Sequence, residues 1–158
     1  MLNPVAYEAV EHDASANVSA LLIVLCAAIA SGIGAATSDG FSGLYRVIIA
    51  DLISWVLYAT FAYIIGARIF KTDQTRSTLG ELLRTLGYAQ VPAFLLVFSG
   101  IFIIGWVVSF VVFVWILATT VVAIRQALDF TTGRAIGTAV VSWLLYIIPF
   151  VLIVAALS

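Results

Sequence analysis

Four long stretches of this sequence contain no charged side chain, and they limit what the chain can fold into. The stretches are residues 14–38, 52–67, 85–124 and 135–158. A helix needs about 20 mostly apolar residues to span the roughly 30 Å hydrocarbon core of a bilayer. Only 9% of the residues are charged, against about 25% in soluble domains. The sequence therefore predicts an all-α protein, a polytopic membrane helical bundle formed by one domain, 1–158.

The lengths of the stretches predict five crossings. The second stretch is long enough only if Asp51 is included, and the third is 40 residues long, which is too long for one crossing. It should form a hairpin that turns near Gly100 or Gly105, because glycine weakens a helix. The expected transmembrane helices are 14–37, 47–67, 91–105, 106–124 and 135–157.

The basic residues test this count. With five crossings, the loops 68–90 and 125–134 lie on the same side and carry six of the seven basic residues. The positive-inside rule then places these loops and the N-terminus in the cytoplasm and the C-terminus outside a cell membrane. Residues 1–13 are predicted to be a tail at the membrane surface. They contain no Lys or Arg, unlike the start of a signal peptide.

Several function classes find no support in the sequence. The basic residues are dispersed, which argues against nucleic-acid binding. Cys26 has no partner for a disulfide, and His12 alone makes a poor metal ligand. The chain lacks the nucleophile, phosphate-loop and metalloprotease motifs. We therefore expect a protein that is not an enzyme and needs no cofactor or metal.

Asp51 is the one ionisable residue inside a predicted crossing, so it is a candidate polar site for a proton or cation pathway. A structural role is the alternative, because Asp51 could lie in the headgroup zone near Arg46 or bond to Ser54. Trp55, Trp115 and Trp143 fall near the middle of their helices. Packing between helices is their simplest role, and a pocket lined by these rings is the other.

The stretch before the third crossing predicts an amphipathic cytoplasmic helix. Thr78 and Glu81 form a capping-box pattern, so the helix should begin near Leu79. Its leucines fall on one stripe, which predicts a helix lying at the cytoplasmic face. Pro92 suits the first turn of the next helix.

The sequence of residues 80–94, GELLRTLGYAQVPAF, contains a Gly-Tyr-x-x-x-Pro pattern and resembles the Yip domain family of Ypt-interacting membrane proteins. Residues 11–35, 55–70 and 114–141 also resemble its prokaryotic members. The resemblance implies five helices with a cytoplasmic N-terminus. Eukaryotic relatives engage Rab-type GTPases, but the short tail of this chain argues against that partner.

Two functional hypotheses follow. The first is a non-catalytic scaffold or assembly protein that associates with itself or other membrane proteins. The second is a small permease or lipid-handling protein that uses Asp51, and an accessory subunit of a larger membrane complex is a variant of the first. The expected interaction surface consists of Arg84, Gly87, Tyr88, Pro92, Arg125, Asp129 and Arg134.

Overall fold

The described part of the chain is helical, as the sequence predicts. The computed structural model describes residue 13, residues 16–71 and residues 77–157. The predicted surface tail lies outside these residues except for Asp13, and so does Arg76. The elements are α1 (Ala16–Ile64), a π-helical turn (Ile65–Ile69), α2 (Leu79–Ala89), a 3₁₀-helix (Val91–Phe98), α3 (Ile104–Ala127) and α4 (Thr132–Leu157).

Helix α1 is a hairpin. Its backbone leaves helical geometry at Gly40, where φ is 63° and ψ is −154°, a conformation that essentially only glycine adopts. A Cβ atom added at Gly32 would lie 2.8 Å from the carbonyl oxygen of Leu44. Twelve residues of straight helix would separate these positions by about 18 Å. The chain therefore reverses at Gly40, and the two arms, 16–39 and 41–64, pack side by side.

Short hydrogen bonds support this reversal. Near the end of the first arm, Thr37 and Ser38 donate to the carbonyl oxygens of Gly34 and Ala35, at 2.7 Å and 3.0 Å. Ser42 donates to the carbonyl oxygen of Asp39 at 2.8 Å. Such hydroxyl groups partner backbone carbonyls near helix ends. A single residue thus makes the turn, where the sequence predicts a loop between crossings 14–37 and 47–67.

Helix α2 begins at Leu79, as predicted. Thr78 accepts a hydrogen bond from the Glu81 backbone at 3.3 Å, and Glu81 accepts one from the Thr78 backbone at 2.8 Å. The helix packs lengthwise against the first arm, and its buried side includes Leu82 and Leu86.

The 3₁₀-helix continues α2 along the first arm. Pro92 stands at its start, as predicted. Contacts occur in the same order along both segments, so the two run parallel: Arg84 with Asn17, Gly87 with Ala20, Leu96 with Gly34, and Gly100 with Thr37. Residues 79–98 therefore cover most of the length of the first arm.

Helices α3 and α4 complete the bundle. The Thr119 hydroxyl of α3 donates to the carbonyl oxygen of Ala89 at 2.9 Å, so α3 runs back along the preceding segment. In α4, the carbonyl oxygen of Ala139 accepts a hydrogen bond from the Tyr58 hydroxyl at 3.3 Å. Among the described residues, three helices are long and apolar enough to span a membrane: Ala16–Ile69, Ile104–Ala127 and Thr132–Ala156.

The bundle has two different ends. The basic end is formed by residues 16–20, 65–71, 77–87 and 124–139, and its core includes Leu82, Ile124 and Leu128. It carries the basic side chains Arg68, Lys71, Arg84, Arg125 and Arg134. The hairpin end is formed by residues 37–45 and 98–105, and it contains the turn at Gly40. In the described part of the chain, Arg46 is the basic residue nearest the hairpin end.

We expect Gly34→Ala to destabilise the protein. The added Cβ would lie 2.5 Å from the Leu96 carbonyl oxygen and would collide with the Ser99 side chain. Overpacking of this kind costs about 1–3 kcal/mol. Gly133→Ala is the matched control, because a Cβ there meets no atom within 4 Å. Thermal unfolding in mild detergent should show a lower midpoint for the first variant alone, and equal midpoints would contradict the packing described.

Candidate functional site

A cavity of about 790 Å³ lies inside the bundle. Both arms of α1, the segment from α2 through the 3₁₀-helix, α3 and α4 all contribute to its wall. Its polar and aromatic lining residues are Ser31, Asp51, Ser54, Trp55, Tyr58, Gln90, Phe113, Thr120, Trp143 and Tyr146. Asp51, the predicted polar site, is thus part of a cavity formed by the whole fold.

The lining residues follow helical spacing. In the second arm they are Asp51, Ser54, Trp55 and Tyr58, at positions i, i+3, i+4 and i+7. Residues at this spacing share one face of a helix. The first arm contributes Val24, Ala27, Ala28 and Ser31 at the same spacing. One continuous stripe from each arm therefore faces the cavity.

Asp51 is half-buried in the lining, and the Ser31 side chain lies beside its carboxylate. The two residues are on opposite arms of the α1 hairpin, and the Ser31 hydroxyl donates to the Ala27 carbonyl oxygen of its own arm at 3.0 Å. The sequence predicts that Asp51 bonds to Ser54, one turn away on the same arm, or lies in the headgroup zone near Arg46. The hairpin instead places Ser31, from the other arm, beside Asp51. Tyr146 lies next to both Asp51 and Ser54.

Aromatic rings form much of the cavity wall. The Tyr58 and Tyr146 rings meet edge to face, with centroids 6.0 Å apart and planes at 90°. The Trp55 indole nitrogen donates to the Leu83 carbonyl oxygen at 3.2 Å, which fixes the orientation of that ring. Trp143 also lines the cavity. Of the three mid-helix tryptophans, Trp55 and Trp143 thus border the cavity, and Trp115 is not among its lining residues.

The cavity is open at the side, between α3 and α4. Six apolar or aromatic lining residues of these helices keep 45–56% of their surface exposed. They are Phe113, Leu117, Ile136, Val140, Trp143 and Leu144. Both helices are long and apolar enough to span a membrane, so these exposed apolar side chains suit contact with lipid.

A second cavity, of about 420 Å³, lies at the hairpin end. Ser31 lines both cavities. The polar residues of the second cavity are the hydroxyl-bearing Ser31, Thr37, Ser38, Ser99 and Ser109. Ser31 is thus common to the two linings, and the second cavity offers hydroxyl groups as its polar side chains.

The seven residues of the predicted interaction surface do not form one surface. Arg84, Gly87 and Pro92 are buried between helices, because α2 packs against the first arm instead of lying beneath the bundle. Arg84 donates to the Asn17 side chain at 3.0 Å. Tyr88 packs against the core at the basic end.

The other three residues, Arg125, Asp129 and Arg134, are exposed at the turn between α3 and α4. Asp129 has a φ of 51°, and the Phe130 backbone N–H donates to the Arg125 carbonyl oxygen at 2.9 Å. This bond closes the last turn of a helix around a left-handed residue. Asp129 therefore has a structural role at the end of α3.

Sequence reasoning missed Ser31, Tyr58, Gln90, Thr120 and Tyr146 as lining residues. One signal was present in the sequence. The spacing from Asp51 to Tyr58 places four polar or aromatic side chains on one face of an otherwise apolar helix. The residues contributed by other helices depend on register, which the spacing within one helix does not reveal.

The fold and cavity define an all-helical integral membrane protein. A family model described as the Yip1 domain matches residues 1–153. The chain belongs to the Yip1 domain family, as its Gly-Tyr-x-x-x-Pro pattern predicts. No curated protein and no solved structure matches it.

Proposed function

We propose that the chain crosses the cell membrane five times. The crossings are the first arm, the second arm, residues 79–98, α3 and α4. The hairpin at Gly40 supports counting α1 twice, because each arm extends over at least 30 Å at 1.5 Å per residue. Helix α2 with the 3₁₀-helix covers about 32 Å, since the 3₁₀ rise is about 2.0 Å per residue. The third crossing then begins at Leu79, whereas the sequence predicts that it begins at residue 91.

The positions of the basic residues support one orientation. The basic end carries five basic side chains in the described part of the chain, and the positive-inside rule favours the cytoplasm for such an end. The N-terminus is then cytoplasmic and the C-terminus outside.

Single cysteines in a Cys26→Ala background test this topology. With the protein in whole cells, a membrane-impermeant maleimide should label Ser38→Cys, at the hairpin end, and spare Ser77→Cys and Gly133→Cys. Permeabilised cells should label all three, which controls for reactivity. Labelling of Ser77→Cys and Gly133→Cys from opposite sides would contradict an odd number of crossings.

We propose further that the protein is a non-catalytic lipid-handling protein that holds an amphipathic molecule in the cavity. One observation carries this proposal, namely a cavity that contains a single carboxylate and opens sideways between α3 and α4. Its volume of about 790 Å³ lies in the range of about 300–1,000 Å³ typical of ligand sites. An apolar chain can enter from the bilayer while a polar head reaches Asp51.

The arrangement favours binding over catalysis. Asp51 is the single carboxylate among the described lining residues, and the lining contains no His, Cys or Lys. General acid–base catalysis usually pairs titratable groups near the reacting atoms. A half-buried carboxylate beside a hydroxyl group suits recognition of a polar head.

Val140→Trp should lower the amount of bound lipid several-fold, because Val140 lies at the lateral opening and the larger ring would fill it. Val141→Trp is the matched control, since Val141 is the next residue of α4 and does not line the cavity. Lipid that remains bound after purification is measured by native mass spectrometry. Equal lipid content in the two variants would contradict the proposed site.

A scaffold role is the second candidate, and the exposed turn between α3 and α4 favours it. Arg125, Asp129 and Arg134 are exposed together there, where a second copy or another membrane protein could bind them. We expect crosslinking in native membranes to join copies of the chain, and Arg125→Glu with Arg134→Glu to lower the yield. Lys71→Glu is the control at the same end. A yield unchanged by the double variant would contradict this surface.

A further inference from the structure

We propose that the cavity selects amphipathic molecules whose polar head is a positively charged amine or quaternary ammonium group. The inference rests on the proposed lipid-handling function and names the chemistry of the head. It follows from the charge of the lining, the aromatic rings that line the same cavity as Asp51, and the lateral opening.

The charge of the lining favours a cation. Asp51 is the only acidic residue among the described lining residues, and none of them is Lys, Arg or His. A carboxylate inside a membrane protein is costly unless it is paired, and Ser31, which lies beside Asp51, supplies no charge. An ammonium head would supply the missing positive charge. An anionic head would be repelled by the same carboxylate.

The aromatic rings favour the same head. Trp55 and Tyr58 stand one and two turns from Asp51 on the second arm, and Trp143 and Tyr146 lie three residues apart on α4. Ammonium groups are attracted to the faces of Trp and Tyr rings within about 6 Å, and aromatic cages bind quaternary ammonium heads. Two tryptophans and two tyrosines therefore line the same cavity as the carboxylate.

Hydrogen bonds hold two of these rings in place before any ligand binds. Trp55 donates to the Leu83 carbonyl oxygen at 3.2 Å, and Tyr58 donates to the Ala139 carbonyl oxygen at 3.3 Å. Tyr146 lies between Tyr58, which it meets edge to face, and Phe150, whose ring centroid is 5.3 Å away with the planes tilted by 33°. A site that is already ordered loses less entropy on binding.

The lateral opening accommodates the acyl chain of the bound lipid. The lateral side between α3 and α4 lets an acyl chain remain in lipid while the head enters the cavity. Gln90 and Thr120 line the cavity too and offer uncharged hydrogen-bonding groups for the part of the head that follows the amine.

Competition between lipids with equal acyl chains tests the inference. The full-length protein in a neutral detergent is offered phosphatidylethanolamine, phosphatidylcholine and phosphatidylglycerol, and bound lipid is counted by native mass spectrometry. We expect the two amine-bearing lipids to exceed phosphatidylglycerol about tenfold, which corresponds to about 1.4 kcal/mol. Tetramethylammonium alone should displace them, which shows whether the cationic head is recognised without its lipid.

Variants identify the groups responsible. Asp51→Asn should bring the ratio of amine-bearing lipid to phosphatidylglycerol close to one, whereas Asp51→Glu should keep most of the preference. Asp39 is an exposed acid at the hairpin end, so Asp39→Asn should leave the preference unchanged. Trp143→Leu should weaken the binding of phosphatidylcholine, and Trp115→Leu should not. Thermal unfolding of each variant shows that it is folded.

The outcomes separate the two proposals. Lipid that binds without regard to its head, or a preference that survives Asp51→Asn, would overturn the inference and leave the cavity as a lipid site. Bound lipid that Val140→Trp does not reduce would overturn the proposed function itself.

Discussion

Close contact between backbones along the first arm of α1 is the interaction on which the rest of the structure depends. Lipid provides no hydrophobic driving force between helices, so small residues that allow close packing must hold them together. Gly32 contacts the second arm, Gly87 of α2 contacts Ala20, and Gly34 contacts the end of the 3₁₀-helix. Three segments thereby meet around one arm, and their register places Ser31 opposite Asp51.

Polar contacts then fix the register that close packing permits. Thr119 donates to the Ala89 carbonyl oxygen, and Tyr58 donates to that of Ala139. Both accepting groups are helical carbonyl oxygens, which have a second lone pair for a neighbouring side chain. Interhelical hydrogen bonds in membrane proteins contribute about 0.6 kcal/mol on average. In this protein these bonds also fix the positions of side chains, because the Tyr58 bond orients a ring that lines the cavity.

Structural features that depend on one helix alone could be predicted from the sequence, and features that depend on packing between helices could not. The helical class, the capping box at Thr78 and the family could be read from composition and local pattern. The lengthwise position of α2 could not, because Arg84 is paired with Asn17, 67 positions earlier in the chain. The position of Ser31 beside Asp51 was missed for the same reason, since it depends on the reversal at Gly40, where the sequence predicts only a loop.

The 3₁₀-helix also explains why a cavity exists beside such close packing. A 3₁₀-helix has 3.0 residues per turn, so it is thinner than an α-helix and covers the same length with fewer side chains. Its lining residues are Ala93 and Leu96. On the opposite side, no described side chain of α4 after Ser142 is buried. Neither segment fills the space beside Asp51, and the lining side chains of α3 and α4 on that side remain exposed.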